Sequence, residues 1–292
     1  MNKSASVVAS AQTVGANWRR WGPGTTVRTI AEAAVRQLAT APPVVTSQPI
    51  TALLWRYGDA ETRLRETLAE LYRELGRRGM NAGSTGNVSA RTDDGMLITP
   101  SGVRVDTVSG ERLVRCRFDG SYDGALLPSS EWEMHAAIYR QAPKAQVIVH
   151  THSDYATALA CLGLPLPGFH YAVAEFGSDD IRCAPYATFG TAALADLAAE
   201  AIAGRTACLL ANHGMICHGR DADTALLAAV RLEGLARQYL IARTAGSVRL
   251  LSPEEMAAAQ IRYRTYGVQP ADGDAVAWRR TDGGAANINA MG

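Results

Sequence analysis

Three histidines have the spacing expected of a metal site. His150 and His152 end an apolar segment typical of a buried strand, and a spacing of two puts both imidazoles on one face. His213 follows a second apolar segment of the same kind. If those two strands are neighbours, the three rings meet at one point, and three nitrogen donors with an open position suit catalytic zinc. The simpler alternative is a pair of surface histidines at a strand end.

A glutamate adds a carboxylate to this set. Glu131 follows two serines suited to begin a helix, so it is predicted to lie in the first helical turn, as a fourth metal donor or a nearby base. The simpler interpretation is an acid that stabilises the helix N-terminus. His135, one turn further on, is predicted to be structural, and His170 and His218 have no partner at a ligand spacing.

Three turns rich in glycine and hydroxyl residues are candidates for binding an anion. They are the segments GSTGN, TPSGV and PSSE. Backbone N–H groups in such turns can point at a phosphate, and the last turn stands at a predicted helix N-terminus. Serine and glycine also fill ordinary loops for conformational reasons, so the phosphate interpretation depends on the recurrence of three such turns.

Alternating helices and strands must position these residues. After Asp59, leucines at helical spacing predict a long helix that ends near Gly76 and Gly79. Short apolar strands and helices then alternate as far as a long final helix over 221–244, and the segments FHYAVAEFG and DIRCAPYA are predicted to be strands or extended loops. The alternation indicates a layered α/β domain, and strand direction stays open at this point.

Composition excludes several classes of protein. A chain of 292 residues that is 47% hydrophobic and 20% charged can bury a full core. Its 29 basic and 28 acidic residues show no basic run interleaved with aromatics, which argues against a nucleic-acid partner. The apolar stretches are too short to span a bilayer. Five scattered cysteines without a CxxC spacing predict reduced thiols in a cytoplasmic enzyme.

The ends of the chain differ in composition from its body. Residues 1–50 are rich in alanine, serine and arginine with no acid before Glu32, and they are predicted to form a flexible or loosely docked extension. A transit peptide has a similar composition and is the alternative. Residues 51–270 are the predicted catalytic domain, and 271–292 a flexible C-terminal tail.

Six segments together resemble the class II aldolase/adducin family, in particular its L-fuculose-1-phosphate aldolase branch. They are GSTGNVSAR, GMLITPSGV, LPSSEWEMHAAIYR, VIVHTHSDYATALA, IRCAPYATFGT and LLANHGMICHG. The resemblance runs from about Thr62 to Gly267. It implies a three-layer α/β/α sandwich with a mostly antiparallel central sheet. It also implies a cyclic homotetramer whose active sites lie between subunits.

The resemblance implies roles for individual residues. His150, His152 and His213 match the family's ligands to one Zn²⁺ per subunit. Glu131 matches the carboxylate that binds the resting metal and then moves away to act as acid and base. Seven positions match the phosphate pocket: Ser84, Gly86, Asn87, Ser101, Gly102, Ser129 and Ser130.

Two tyrosines match residues that act on the aldehyde side of the substrate. Tyr171 corresponds to a tyrosine that protonates the aldehyde oxygen from a neighbouring subunit, and Tyr266 to one in the mobile C-terminal tail. Glu175 and Phe176 stand where the fuculose enzyme has small residues, which leaves the aldehyde specificity open.

The implied activity is a zinc-dependent aldolase reaction. A ketose 1-phosphate, either L-fuculose 1-phosphate or a related ribulose or deoxyribulose 1-phosphate, is cleaved reversibly to dihydroxyacetone phosphate and a small aldehyde. The same scaffold also serves sugar-phosphate 4-epimerases, methylthioribulose-1-phosphate dehydratases and decarboxylases, and the segments PYATFGT and SSEW favour the aldolase. A non-catalytic adducin-like module is the remaining alternative, which loss of the histidines would mark.

Overall fold

A computed structural model describes residues 59–264 of the chain. The predicted N-terminal extension, the start of the predicted catalytic domain, the C-terminal tail and Tyr266 lie outside the described residues.

The first helix within the described residues, α1 (Ala60–Arg77), begins and ends where the sequence predicts to within a residue or two. The Asp59 side chain caps it by accepting a hydrogen bond from the Thr62 N–H at 2.9 Å. Its leucine stripe is buried in the core. Gly79 then adopts a φ of 70°, a left-handed conformation that suits glycine and turns the chain away from the helix axis.

Seven of the nine strands found between residues 59 and 264 form one sheet. In chain order the strands are β1 (Asn87–Arg91), β2 (Gly95–Ile98), β3 (Val114–Arg117), β4 (Val147–Thr151), β5 (Leu166–Pro167), β6 (Asp180–Ile181), β7 (Cys183–Ala184), β8 (Ala207–Leu210) and β9 (Gly214–Gly219). The large sheet has the order β3-β2-β1-β4-β9-β8-β7. Every pair in it is antiparallel except β7 with β8. Strands β5 and β6 pair separately.

Helices cover both faces of the sheet. The remaining helices are α2 (Trp132–Gln141), α3 (Asp154–Ala160), α4 (Ala192–Ile202), α5 (Ala222–Ala245) and α6 (Pro253–Tyr263), with 3₁₀ turns over Gly110–Arg112 and Tyr171–Phe176. Helices α1, α3 and α5 share one apolar core with the sheet, and α2 and α4 share the other. Strand β4 alternates between them, because Val149 packs in the first core and Ile148 in the second. The predicted α/β/α sandwich with a mostly antiparallel sheet is confirmed.

Two sequence-based predictions about elements were wrong. The FHYAVAEFG segment is not extended: Tyr171–Phe176 forms a 3₁₀ helix that buries Val173 and Phe176, residues spaced by one such turn. Helix α5 is not the last helix either, because α6 follows it. Helix α6 begins with a Ser252–Glu255 capping box and a proline in its first turn. No helix within residues 59–264 combines the length and the apolar character needed to cross a membrane.

Candidate active site

The hairpin between β8 and β9 brings the three histidines together. The sequence-based hypothesis placed β4 and β8 next to each other. In the structure β9 lies between them. His213 instead lies in the tight β8–β9 connection, next to Asn212, which takes a left-handed φ of 56°. Because β9 pairs with β4, with Thr151 opposite Met215, this connection delivers His213 to the end of β4 where His152 lies.

The three imidazoles and the Glu131 carboxylate surround one point. Each pair of rings has centroids 4.8 Å apart and planes 72–77° apart. The two Nε2 atoms of His150 and His152 are 3.0 Å apart. Glu131 places Oε2 at 3.2 Å from Nε2 of His150 and Oε1 at 3.3 Å from Nε2 of His213. One donor atom from each of the four residues lies within 4.8 Å of the others.

The chemistry of these donors fits a bound cation. Nδ1 of His150 lies 2.9 Å from the Met215 carbonyl oxygen, an acceptor that requires Nδ1 to carry the proton. Nε2 of His150 is therefore the nitrogen that faces the other donors. Burial lowers the pKa of this ring, but the Glu131 carboxylate raises it by more, so a bound metal would displace the proton from Nε2. Among the described residues, Oε1 of Glu131 is buried without a hydrogen-bond partner. Lone pairs so arranged repel one another, whereas a divalent metal between them converts the repulsion into coordination, and three nitrogens with one carboxylate suit zinc.

The protonation states also suit metal binding. Burial lowers the pKa of His152 and of His213, each to about 4, with a further contribution from His150, so both rings are neutral near pH 7. Burial raises the pKa of Glu131, but contacts with His150, His213 and the Asn87 amide lower it by more, leaving it well below its usual range. Neutral imidazoles and an ionised carboxylate are the forms that bind metals.

Glu131 lies one position before the place that the sequence predicts. It is the residue that precedes α2, not a member of the first helical turn, because a tight turn joins the Ser129 carbonyl to the Trp132 N–H at 3.0 Å. Its own N–H donates to the Ser129 hydroxyl at 3.3 Å. The Glu131 side chain makes no helix-capping hydrogen bond, and the Asn87 side-chain amide donates to it at 2.9 Å. The carboxylate is thereby held at the cluster.

The three predicted anion-binding turns surround one cavity of about 350 Å³ beside the cluster. It is lined by all seven predicted phosphate positions, Ser84, Gly86, Asn87, Ser101, Gly102, Ser129 and Ser130, together with Glu131, His152 and His213. Gly86 has a φ of 68°, and a Cβ atom there would lie 2.5 Å from the His150 carbonyl oxygen. Only glycine therefore lets this turn approach the metal-binding strand so closely.

Several other residues line this cavity, and three of them lie outside the predicted turns and carry aromatic or amide side chains. Tyr186 and Phe189 are 63% and 65% exposed, and both lie in the PYATFGT segment. Asn212 is the third, beside His213. Large exposed aromatics next to polar donors are typical of a substrate site, but exposure is not visible in a sequence.

Tyr171 lies away from this cavity. Its side chain is 59% exposed, stacks on His170, and faces a separate groove between the 3₁₀ helix, α5 and α6. The neighbouring departures from the family pattern have structural explanations: Phe176 is a core residue, and Glu175 forms an ion pair with Arg231.

Residues 66–240 match the family described as the class II aldolase and adducin N-terminal domain, more than half of the chain. The chain belongs to the class II aldolase and adducin family.

Individual relatives within this family are similar over most of their length. A 5-methylthioribulose-1-phosphate/5-deoxyribulose-1-phosphate aldolase from Rhodospirillum rubrum is 43% identical, covering 70% of this chain and 92% of that protein. An L-fuculose phosphate aldolase from Haemophilus influenzae is 40% identical, covering 70% and 96%. A solved L-fuculose 1-phosphate aldolase has a TM-score of 0.67 at 34% identity, covering 71% of this chain and 98% of that one.

The approach of β9 to β4 gives a test of the cluster. A Cβ atom at Gly214 would lie 2.4 Å from the carbonyl oxygen of Thr151, the residue between His150 and His152. We expect Gly214→Ala to separate the strands, to destabilise the fold by about 1–3 kcal/mol and to lower the metal content of the purified protein. Metal analysis and urea unfolding measure both effects.

The matched control is Gly234→Ala in α5, where no atom lies within 4 Å of the added Cβ. It should retain the metal and stabilise the protein by about 0.5–1 kcal/mol. Wild-type metal content and stability in the Gly214 variant would show that the strands are not packed as described.

Proposed function

We propose that the protein is a zinc-dependent class II aldolase that reversibly cleaves a ketose 1-phosphate to dihydroxyacetone phosphate and a small aldehyde. The observation that carries the proposal is a single cavity with a His₃–carboxylate cluster on one side and three serine- and glycine-rich turns on the others. The Rhodospirillum rubrum relative is named for ribulose 1-phosphates and the solved structure for L-fuculose 1-phosphate, which supports the same substrate class.

The phosphate is assigned to the turns. We assign its binding to Ser84, Gly86, Asn87, Ser101, Gly102, Ser129 and Ser130, which together offer hydroxyl, amide and backbone donors around the cavity. A phosphate held there would place the adjoining carbons beside the cluster. The exposed rings of Tyr186 and Phe189 are then left to contact the rest of the sugar.

His150, His152, His213 and Glu131 are the proposed zinc ligands, one ion per subunit. When bound, zinc supplies Lewis-acid stabilisation of the negative charge that develops on the substrate's carbonyl oxygen as the C3–C4 bond breaks. Glu131 delivers a proton to C3 of the three-carbon fragment during cleavage and removes it in the reverse direction. A carboxylate with a depressed pKa is a poor acid, so its protonation requires Glu131 to leave the cation first.

The aldehyde half of the substrate needs a second proton-transfer group. Cleavage removes the proton of the C4 hydroxyl, and the reverse reaction returns it to the aldehyde oxygen. We assign this step to Tyr171 of the partner subunit, with help from Tyr266 near the C-terminal end of the catalytic domain. The high exposure of Tyr171 and its distance from its own cavity support a cyclic homotetramer with active sites between subunits.

We also propose a domain organisation and a location for the protein. Residues 51–270 form the catalytic domain, flanked by the extension 1–50 and the tail 271–292, a division supported by their compositions. The cytoplasm is the proposed location, which the five unpaired cysteines support.

Replacing Glu131 with glutamine tests the acid–base role. The amide keeps the size of the side chain but cannot transfer a proton. Glu131→Gln should therefore retain zinc, through the three histidines, and lose aldol cleavage by roughly 10²–10⁴-fold. Coupled detection of dihydroxyacetone phosphate and metal analysis of the same sample measure the two properties. Glu133→Gln, two residues further along in the first turn of α2 and outside the cluster, is the control and should keep wild-type turnover. Retained turnover in the Glu131 variant would remove this role.

The phosphate assignment makes a separate prediction about substrate choice. In the condensation direction, dihydroxyacetone phosphate should be accepted with small aldehydes, and free dihydroxyacetone should react at least 10²-fold more slowly. A site built for an anion leaves its donors unpaired without one. Product analysis with a panel of aldehydes measures this ratio. Equal rates for the two donors would rule out the assignment of the turns.

A further inference from the structure

A chain of buried polar side chains extends from Glu131 away from the cavity. Asn87 donates through Nδ2 to Oε2 of Glu131 at 2.9 Å, and its Oδ1 lies 2.6 Å from Nε2 of His135. The other ring nitrogen of His135, Nδ1, lies 2.7 Å from the Ser89 hydroxyl. That hydroxyl is 2.9 Å from the Tyr139 hydroxyl. All four residues beyond Glu131 are buried, and His135 and Ser89 are fully so.

The hydrogen bonds between these five side chains can run in one direction only. An ionised carboxylate accepts hydrogen bonds and does not donate them, so the Asn87 amide must turn its NH₂ group toward Glu131 and its oxygen toward His135. Nε2 of His135 must then carry the ring proton. Burial, with a contribution from His150, lowers the pKa of His135 to about 3, so the ring is neutral and its Nδ1 is an acceptor.

The hydrogen bonds of Ser89 and Tyr139 have a fixed direction as well. An acceptor at Nδ1 requires the Ser89 hydroxyl to donate its single proton to His135. The Ser89 oxygen then accepts from Tyr139, whose next acceptor, the Gln146 carbonyl, is more distant at 3.4 Å. Every hydrogen bond therefore donates toward the carboxylate, in the order Tyr139, Ser89, His135, Asn87, Glu131.

We propose that His135 and Ser89 are positioning residues that fix the Asn87 amide with its NH₂ group toward Glu131. This inference rests on the proposed acid–base role of Glu131. An amide in the opposite orientation would place its oxygen against the carboxylate and repel it. His135, which the sequence predicts to be structural, therefore contributes to function through Asn87. Outer hydrogen-bond partners commonly control the orientation of groups around a metal.

An ordinary buried polar network would also stabilise the fold, so the test must separate the two roles. His135→Leu removes the donor to Asn87, whereas His135→Gln keeps an N–H donor on a side chain of similar reach. In metal-loaded, full-length protein, His135→Leu should lower kcat for ketose 1-phosphate cleavage by on the order of tenfold or more, with KM and zinc content unchanged. His135→Gln should restore most of that loss.

A purely structural network would lower the unfolding midpoint of both variants and would leave kcat per metal-loaded subunit equal between them. That result would overturn the proposal. A wild-type protein with no cleavage of any ketose 1-phosphate would instead contradict the proposed function, so the two failures are distinguishable.

A second measurement needs no variant to fold and no activity. Solid-state NMR of the metal-loaded wild type, labelled with ¹³C and ¹⁵N in histidine, reports which ring nitrogen carries the proton. The six histidines give few signals to assign. We expect a neutral His135 protonated at Nε2. A ring protonated only at Nδ1 would turn the Asn87 amide around, and a ring protonated at both nitrogens would not need Ser89 as a donor. Either result would refute the proposal.

Discussion

The close approach of three imidazoles and the Glu131 carboxylate, at one end of β4 and β9, is the constraint on which the rest of the site depends. Three imidazole nitrogens and a carboxylate oxygen within 4.8 Å of one another are unfavourable unless a cation lies between them. The surrounding structure is arranged to hold them there. The Met215 carbonyl sets the tautomer of His150, and the Asn87 amide holds Glu131. The energetic cost of assembling the donors is met by packing and hydrogen bonds formed elsewhere in the fold.

The sheet determines which residues meet at this point. Asn87 is paired directly with His150 across β1 and β4, and β9 brings the His213 connection to the other side of β4. The turns around the cavity lead into β1, follow β2 and precede α2, so donors for a cation and donors for an anion lie side by side. This juxtaposition suits a substrate with a carbonyl oxygen close to a phosphate. The glycines at Gly86 and Gly214 permit it, because a side chain at either position would collide with the β4 backbone.

Local features of the sequence predicted much of the architecture. The leucine spacing of α1 and its Asp59 cap depend on contacts within one helix, so periodicity was sufficient there. The strand order was not accessible, because the insertion of β9 between β4 and β8 depends on pairing between segments far apart in the chain. Periodicity alone left the direction of the strands open, and the family resemblance supplied the mostly antiparallel sheet.

The candidate site shows the same division. Residues with an unusual local signal, such as the His150–His152 pair and the serine-rich turns, were found from the sequence. The apolar neighbours of His135 predict a structural histidine, whereas its hydrogen-bond partners, Asn87 and Ser89, are 46 or more positions away. Phe176 resembled a specificity difference until its burial showed it to be a core residue. Contacts between distant segments determined these outcomes, and a single sequence does not display them.

The claim that one metal is held by three imidazoles and a carboxylate is tested most directly by zinc K-edge X-ray absorption of the purified protein. We expect one zinc per subunit with nitrogen and oxygen neighbours at about 2.0–2.2 Å and an imidazole scattering pattern that is lost in a His150→Ala, His152→Ala double variant. A metal-free protein, or zinc with sulfur neighbours at about 2.3 Å, would contradict it.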